Sequence, residues 1–337
     1  MQKEKIIYVD ELERILRQKF GKYNLNSDVI SDLVEYFILT ELYGVTTHGL
    51  FTLKAHISKI EKRDYNLNPN IDFLKEEMAF SVMDADNSIG IYSGTVAMNY
   101  ALKKAQESGI YIVHVRNANT YGAAFFYTLL AINKKMIGIT FCNTPVAMAA
   151  WRGKEKILGT NPLAVGIPGK EKGPILYDIA TSKVAKSKIN EYNKKSINIP
   201  EGWALDSNGE NTTDPLKAIQ GSVLPFGEHK GYGLAVIIDI LSGLLSGAGY
   251  LKNVNKFYSE DGKNMNVGQV FIAINPEKIF GENFYEAVDN YIEILKKSGE
   301  KVLFPGEDRV KKYKENIKKE IKISEELYNY LFDNNKE

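Results

Sequence analysis

Four histidines occur in 337 residues, and one of them, His48, stands in the stretch VTTHGLF (Val45–Phe51) between two threonines and a glycine. An imidazole with its ordinary pKa near ~6.5 can give and take a proton around neutrality. At an elbow between helices it is reachable by a small molecule, and the same position also suits a histidine that caps a helix. The residues alone leave both readings open. Asp178 ends the apolar run PILYDIATS, where a carboxylate is costly unless it is hydrogen-bonded or paired. It can orient an imidazolium there, or cap a helix that starts near Thr181. The one cysteine, Cys142, lies in MIGITFCN and reads as a buried structural thiol in a chain kept in a reducing compartment. His48 and His56 are eight apart and there is no HExxH, so no metal site is expected.

The elements that must position these residues are legible from periodicity. Val9, Leu12, Ile15, Leu16 and Phe20 recur at helical spacing up to Gly21, and Val29, Ile30, Leu33, Val34, Phe37 and Ile38 repeat the pattern up to Gly44. Leu53, Ile57 and Ile60 give a third helix, so VTTHG is the short joint between two helices. Residues 1 to about 65 read as all-α. From Met78 the texture alternates: strand MAFSVMDAD, a helix ending at Gly109, strand IYIVHVR, helix AFFYTLLAINK, strand MIGITFCN, then the β-rich PLAVGIP and PILYDIA. A polar helix follows between Lys183 and Ile199, a turn in DSNGENTTDP, a short helix from Pro215, and a long apolar helix from Gly231 to Leu251. The late strand GQVFIAIN can rejoin the earlier sheet and interleave two domains. The chain then closes in an amphipathic helix and a charged, helical end.

The totals exclude several classes. With 43 basic and 42 acidic residues, no net field favours nucleic acid or an anionic membrane. The apolar Gly231–Leu251 segment carries Asp239 at its middle and reads as a buried helix, not a membrane span. The start, MQKEKIIYVDEL, lacks the apolar core of a secretory signal, so a cytoplasmic location is expected. A dinucleotide-binding GxGxxG is missing: Gly231 and Gly233 begin it, but Val236 stands at the third glycine. Pattern alone reaches a globular protein combining α and α/β parts.

Eight strings in order carry more: GVTTHGL, VRNANTYGAA, CNTP, LGTNPLAVGIP, DIATSKVA, GWALDSNGENTTDP, GEHKGYGLAVIIDILSGLLSGA and PGEDR. From about Leu42 to Arg309 they resemble the type 2 malate/L-lactate dehydrogenase family, which also includes ureidoglycolate, sulfolactate and diketogulonate oxidoreductases and cyclic imino acid reductases. The resemblance implies an oxidoreductase that uses NAD or NADP and acts on a small 2-oxo or 2-hydroxy acid. It implies a non-Rossmann α/β (α+β) fold, in which a mixed-sheet domain (71–181 and 266–299) is interleaved with a mostly helical one (1–70, 182–265 and 300–337). Homodimers are implied too.

By the same resemblance His48 exchanges the proton that a reduced ketone oxygen needs, and Asp178 supports it. Thr144, Asp178, Ile179, Ala180, His229, Lys230, Gly306, Glu307 and Asp308 match cofactor-contacting positions, while Thr47, Thr52, Arg116 and Thr120 fall on the substrate side. Two of these depart from the family pattern. Thr52 replaces an arginine that can grip a carboxylate, and Thr120 replaces a pocket histidine; threonine donates one hydrogen bond and carries no charge. Arg116 or Lys183 would have to compensate. The alternatives are a cyclic imino acid reductase and a non-catalytic relative that binds a nucleotide.

Overall fold

The strand Val267–Ile274 is buried along almost its whole length, which fits only the middle of a sheet covered on both faces. In a computed structural model, which describes residues 4–258, 263–317 and 320–332, it lies there. It pairs antiparallel with Ile110–Ala118 on one side and with Ile137–Cys142 on the other. The seven-stranded sheet runs Asp72–Glu76, Phe80–Asp84, Ile110–Ala118, Val267–Ile274, Ile137–Cys142, Leu163–Ile167, Ile175–Ile179. Only Phe80–Asp84 and Ile110–Ala118 pair in parallel, joined by the helix Gly90–Ser108; every other pairing is antiparallel. A doubly wound dinucleotide fold is built on parallel strands, so the non-Rossmann, mixed-sheet expectation holds. So does the return of the late strand.

Helices Val9–Phe20, Ser27–Leu42 and Leu53–Glu61 form as the periodicity predicts, burying Leu12, Leu16, Phe20, Leu33, Phe37 and Leu53, and Ser27–Leu42 packs against the helix Gly90–Ser108. The joint between the last two ends in a single 3-10 turn, Leu50–Thr52.

Four expectations need correction. The first 65 residues are not all-α: Glu4–Ile7 is a strand, antiparallel to Ile321–Ser324 near the other terminus, so the end is not wholly helical either. Asp72–Glu76 adds an exposed edge strand that no pattern announces, since its sequence, DFLKE, shows no alternation. The stretch after Thr181 is not only helix and turn. Ala204–Leu205, Asn211–Thr212 and Ser222–Val223 join Met148–Ala149 and Lys156–Leu158 in a small five-stranded sheet. Finally, the apolar helix spans His229–Asp239 and gives way to a π-helical turn, Ile240–Leu244, well before Leu251. The chain turns there because buried Asp239 takes up the Leu251 N–H at 3.1 Å and the Asn143 side chain at 3.0 Å. Among the described residues no helix is long and apolar enough to cross a membrane.

Candidate active site

The joint that carries His48 is held from beneath. Tyr36 is fully buried on the helix Ser27–Leu42, and its hydroxyl donates to the His48 carbonyl at 2.7 Å while accepting the Ala123 N–H at 2.8 Å. One phenol thereby ties the VTTHG joint to the VRNANTYGAA loop. Glu41, also buried, accepts the Leu50 N–H at 2.8 Å, and burial pushes its carboxyl up to about 7. The Thr52 hydroxyl donates to the Gly49 carbonyl at 2.9 Å, so it finishes the turn and does not point a donor outward. Thr47 Oγ1 lies 3.1 Å from His48 Nδ1, which leaves Nε2 as the ring nitrogen for an external partner.

Asp178 sits opposite. The helix Glu307–Asn316 starts at left-handed Gly306 (φ 87°), where a Cβ would press on Leu176 at 2.5 Å, so only glycine lets the helix begin flush against the strand Ile175–Ile179. Its first turn brings Arg309 over the strand end. Arg309 donates to Asp178 Oδ2 at 3.1 Å and to the Asp178 carbonyl at 3.4 Å, and its guanidinium lies 5.5 Å from the Phe125 ring centre. A cavity of about 350 Å³ opens beside the pair, lined by Tyr177, Asp178, Phe304, Gly306 and Arg309 among others.

His48 lies within electrostatic reach of the Asp178–Arg309 pair. Packing around the imidazole pulls its pKa below 6.5, the Asp178 charge opposes that shift and Arg309 reinforces it. His48 as a whole residue is nonetheless exposed to solvent, which tempers the shift. The Asp178 charge also reaches the buried phenols of Tyr36 and Tyr121, both held above their ordinary range chiefly by burial. Cys142, buried and pushed up to about 12, is a structural thiol, as its surroundings predict.

The residues expected around a cofactor are linked by a separate set of bonds. The Thr144 N–H donates to Asn161 Oδ1 at 3.0 Å, Thr144 Oγ1 accepts the Thr160 N–H at 2.9 Å, and the Asn161 amide donates to the Ala235 carbonyl at 2.9 Å. Thr181, which follows Ile179 and Ala180, donates to the Thr160 carbonyl at 2.8 Å and accepts the Phe226 N–H at 3.0 Å. Gly231 packs so closely that a Cβ would meet the Phe226 and Thr181 carbonyls at 2.5 and 2.6 Å. That approach seats the start of the helix His229–Asp239 against the DIATS strand end. His229 and Lys230 are exposed there, with the His229 ring 5.5 Å from Trp151.

Other expected site residues lie elsewhere or are engaged. Arg116 pairs with Asp84 at 3.2 Å and lines a different cavity with Asn117 and Asn264. Lys183 lies beside Gly202. Neither stands with His48 and Asp178. Glu307 is tied to Lys296 and accepts the Phe304 N–H at 3.2 Å, and Asp308 follows in the same helical turn. Thr120 accepts the Gly122 N–H at 3.5 Å, in the loop whose Ala123 meets Tyr36. Sequence reasoning passed over Tyr36, Glu41 and Arg309. Tyr36 and Glu41 sit in a helix read for its apolar stripe, and Arg309 closes a motif, PGEDR, read for its first residues. Among the described residues no cluster of three metal-ligating side chains occurs.

A histidine on a helix joint lies within electrostatic reach of a carboxylate–guanidinium pair at the end of a largely antiparallel sheet, outside the doubly wound nucleotide folds. The chain belongs to the malate/L-lactate dehydrogenase family, an oxidoreductase family whose model matches residues 7–332. It is 40% identical over 333 residues to the L-sulfolactate dehydrogenase of Methanocaldococcus jannaschii, covering 97% of this chain and 93% of that protein. The solved structure of sulfolactate dehydrogenase from that organism superposes with a TM-score of 0.90 at 37% identity, covering 97% of this chain and 95% of the other. The malate dehydrogenase of Pyrococcus abyssi is 40% identical over 276 residues, 80% of this chain and 75% of the relative. The (2R)-3-sulfolactate dehydrogenase (NADP(+)) of Chromohalobacter salexigens is 30% identical over 268 residues, 79% of each chain.

Proposed function

We propose that the protein interconverts a small 2-oxo acid and its 2-hydroxy acid, with His48 exchanging the proton. The observation that carries this reading is the Asp178–Arg309 pair at the rim of a cavity, with His48 within electrostatic reach of both charges. Relatives named as malate and sulfolactate dehydrogenases support the substrate class.

A nicotinamide dinucleotide, NAD or NADP, fits the second set of residues, because a helix start with an exposed Lys230 ammonium suits a pyrophosphate. Thr144, Asp178, Ile179, Ala180, His229, Lys230 and Gly306 would hold it, with Glu307 and Asp308 completing the helix start beside Gly306. When bound and reduced, it supplies the hydride. The carbonyl oxygen, left with an electron pair and a negative charge, takes the proton from His48 Nε2, and the imidazole becomes neutral. In the reverse direction neutral His48 takes the hydroxyl proton. Asp178 stabilises the imidazolium through space while Arg309 keeps the carboxylate in place. Tyr36 fixes the loop from below.

The test is incubation of the purified protein with NADH or NADPH and a panel of 2-oxo acids and cyclic imines, following loss of the reduced cofactor. Turnover of at least one 2-oxo acid, lost in His48→Ala, is expected. Turnover of cyclic imines alone would move the substrate class, and equal rates in parent and variant would remove His48 from the mechanism.

A second copy of this chain is the proposed partner. Ile237, Ile240, Leu244 and Leu245 are 54%, 46%, 54% and 59% exposed along one helix and the turn that ends it. An apolar stripe of that kind on a charged protein supports a homodimer face.

A further inference from the structure

We propose that Arg309 grips the acid group of the substrate, supplying from the helix Glu307–Asn316 the cation that Thr52 does not provide beside His48. The inference rests on the 2-oxo acid reading above and names the residue that gives it selectivity. A 2-oxo acid presents a carboxylate next to the carbonyl that is reduced, so the cation that binds it must stand near the proton donor. Three cations were open to that task. Arg116 is turned to Asp84 and a separate cavity, and Lys183 lies by Gly202. Arg309 alone lines the cavity that also holds Asp178 and bears electrostatically on His48.

Its geometry suits the role. The Arg309 side chain is 31% exposed, with that of Asp178 more buried at 13%, so the pair presents its cationic half to the cavity. Asp178 takes two of its hydrogen bonds, at 3.1 and 3.4 Å. A guanidinium has five N–H donors in a planar fork, so the remaining donors face outward from a group already fixed by Asp178 and by the Phe125 ring. The charges also balance. With His48 protonated for reduction, His48, Arg309 and Asp178 sum to one positive charge, and a bound monocarboxylate brings the total to zero. A neutral carbonyl compound leaves one cation unmatched.

The same cation would equally suit a cofactor phosphate, and the experiment separates the two. Steady-state reduction of pyruvate, oxaloacetate and methyl pyruvate is measured for the parent, Arg309→Lys and Arg309→Gln, beside the affinity of each for NADH and NADPH by fluorescence titration. Loss of a charge-assisted fork is expected to raise KM for the acids about 10- to 100-fold in Arg309→Gln. Arg309→Lys, which keeps the charge and loses the fork, falls between. The uncharged ester changes far less, and cofactor affinity stays within about twofold. Equal losses on acid and ester overturn the proposal in favour of a purely structural Arg309. Weakened cofactor binding with unchanged acid KM reassigns it to the cofactor. If the parent itself reduces none of the acids, the 2-oxo acid reading fails and the proposal with it, a result visible before any variant is made.

Discussion

The Tyr36 hydroxyl donates to the His48 carbonyl at 2.7 Å from a fully buried position on the preceding helix. The same oxygen accepts the Ala123 N–H, so Tyr36→Phe strands two backbone groups at once. The expected cost is about 1–3 kcal/mol in chemical denaturation. Because the phenol anchors the joint and does not touch substrate, kcat should fall while KM for the oxo acid changes little. An unchanged unfolding midpoint with unchanged kcat would dismiss the anchor.

Burial first, and then the flanking charges, set the titration of His48. Packing and Arg309 pull its pKa down and Asp178 pushes it up. In the reductive direction, where protonated His48 is required, kcat/KM should therefore decline as pH rises through a value below 6.5. Asp178→Asn should move that limb further toward acid and Arg309→Gln toward neutral pH. Profiles that superimpose for all three proteins would show that His48 does not titrate in this setting.

Two buried groups titrate in opposite senses. Glu41 is raised from 4.5 to about 7; its stabilising contribution is complete below 4.5 and disappears as pH climbs through about 7. His56, buried against Tyr65, is lowered from 6.5 to about 4; it costs nothing above 6.5 and destabilises as pH falls toward 4. Relative to the parent, Glu41→Gln should gain on the order of 3 kcal/mol between pH 4.5 and 7. His56→Gln should lose a comparable amount, relative to the parent, as pH rises from 4 to 6.5. Urea titrations across this range give both differences, and a pH-independent difference would refute the burial argument for that residue.

Leu244, 54% exposed in the π-helical turn, tests the proposed subunit contact. Leu244→Glu should convert a dimer to a monomer in sedimentation velocity, since a charge in an apolar contact is costly. A parent that sediments as a monomer at micromolar concentration would rule out the face.

The strongest periodic signals carried through to the fold. The helical stripes of the first 61 residues and the apolar run at Val267–Ile274 each admit one reading, because every residue on one face, or on both, must be buried. Glycine and the THG triplet marked the His48 joint for the same local reason. What stayed hidden depends on distance. Strands of two or three residues, such as Ala204–Leu205 and Ser222–Val223, are too short to show a period and exist only because a partner lies alongside. Arg309 meets Asp178 across 131 residues, so nothing near either one in the chain announces the other. Tyr36 looks like any core aromatic at helical spacing, and its hydroxyl gains meaning only when the His48 and Ala123 backbones arrive.

The placement of Val267–Ile274 between Ile110–Ala118 and Ile137–Cys142 has a cost during synthesis. Two strands made early must wait, edges unpaired, until a segment encoded far downstream leaves the ribosome and wedges between them. Loop closure of that length slows assembly. A chain stopped before Val267 would offer two naked β edges to its neighbours, making truncated or stalled products prone to aggregate and dependent on chaperones.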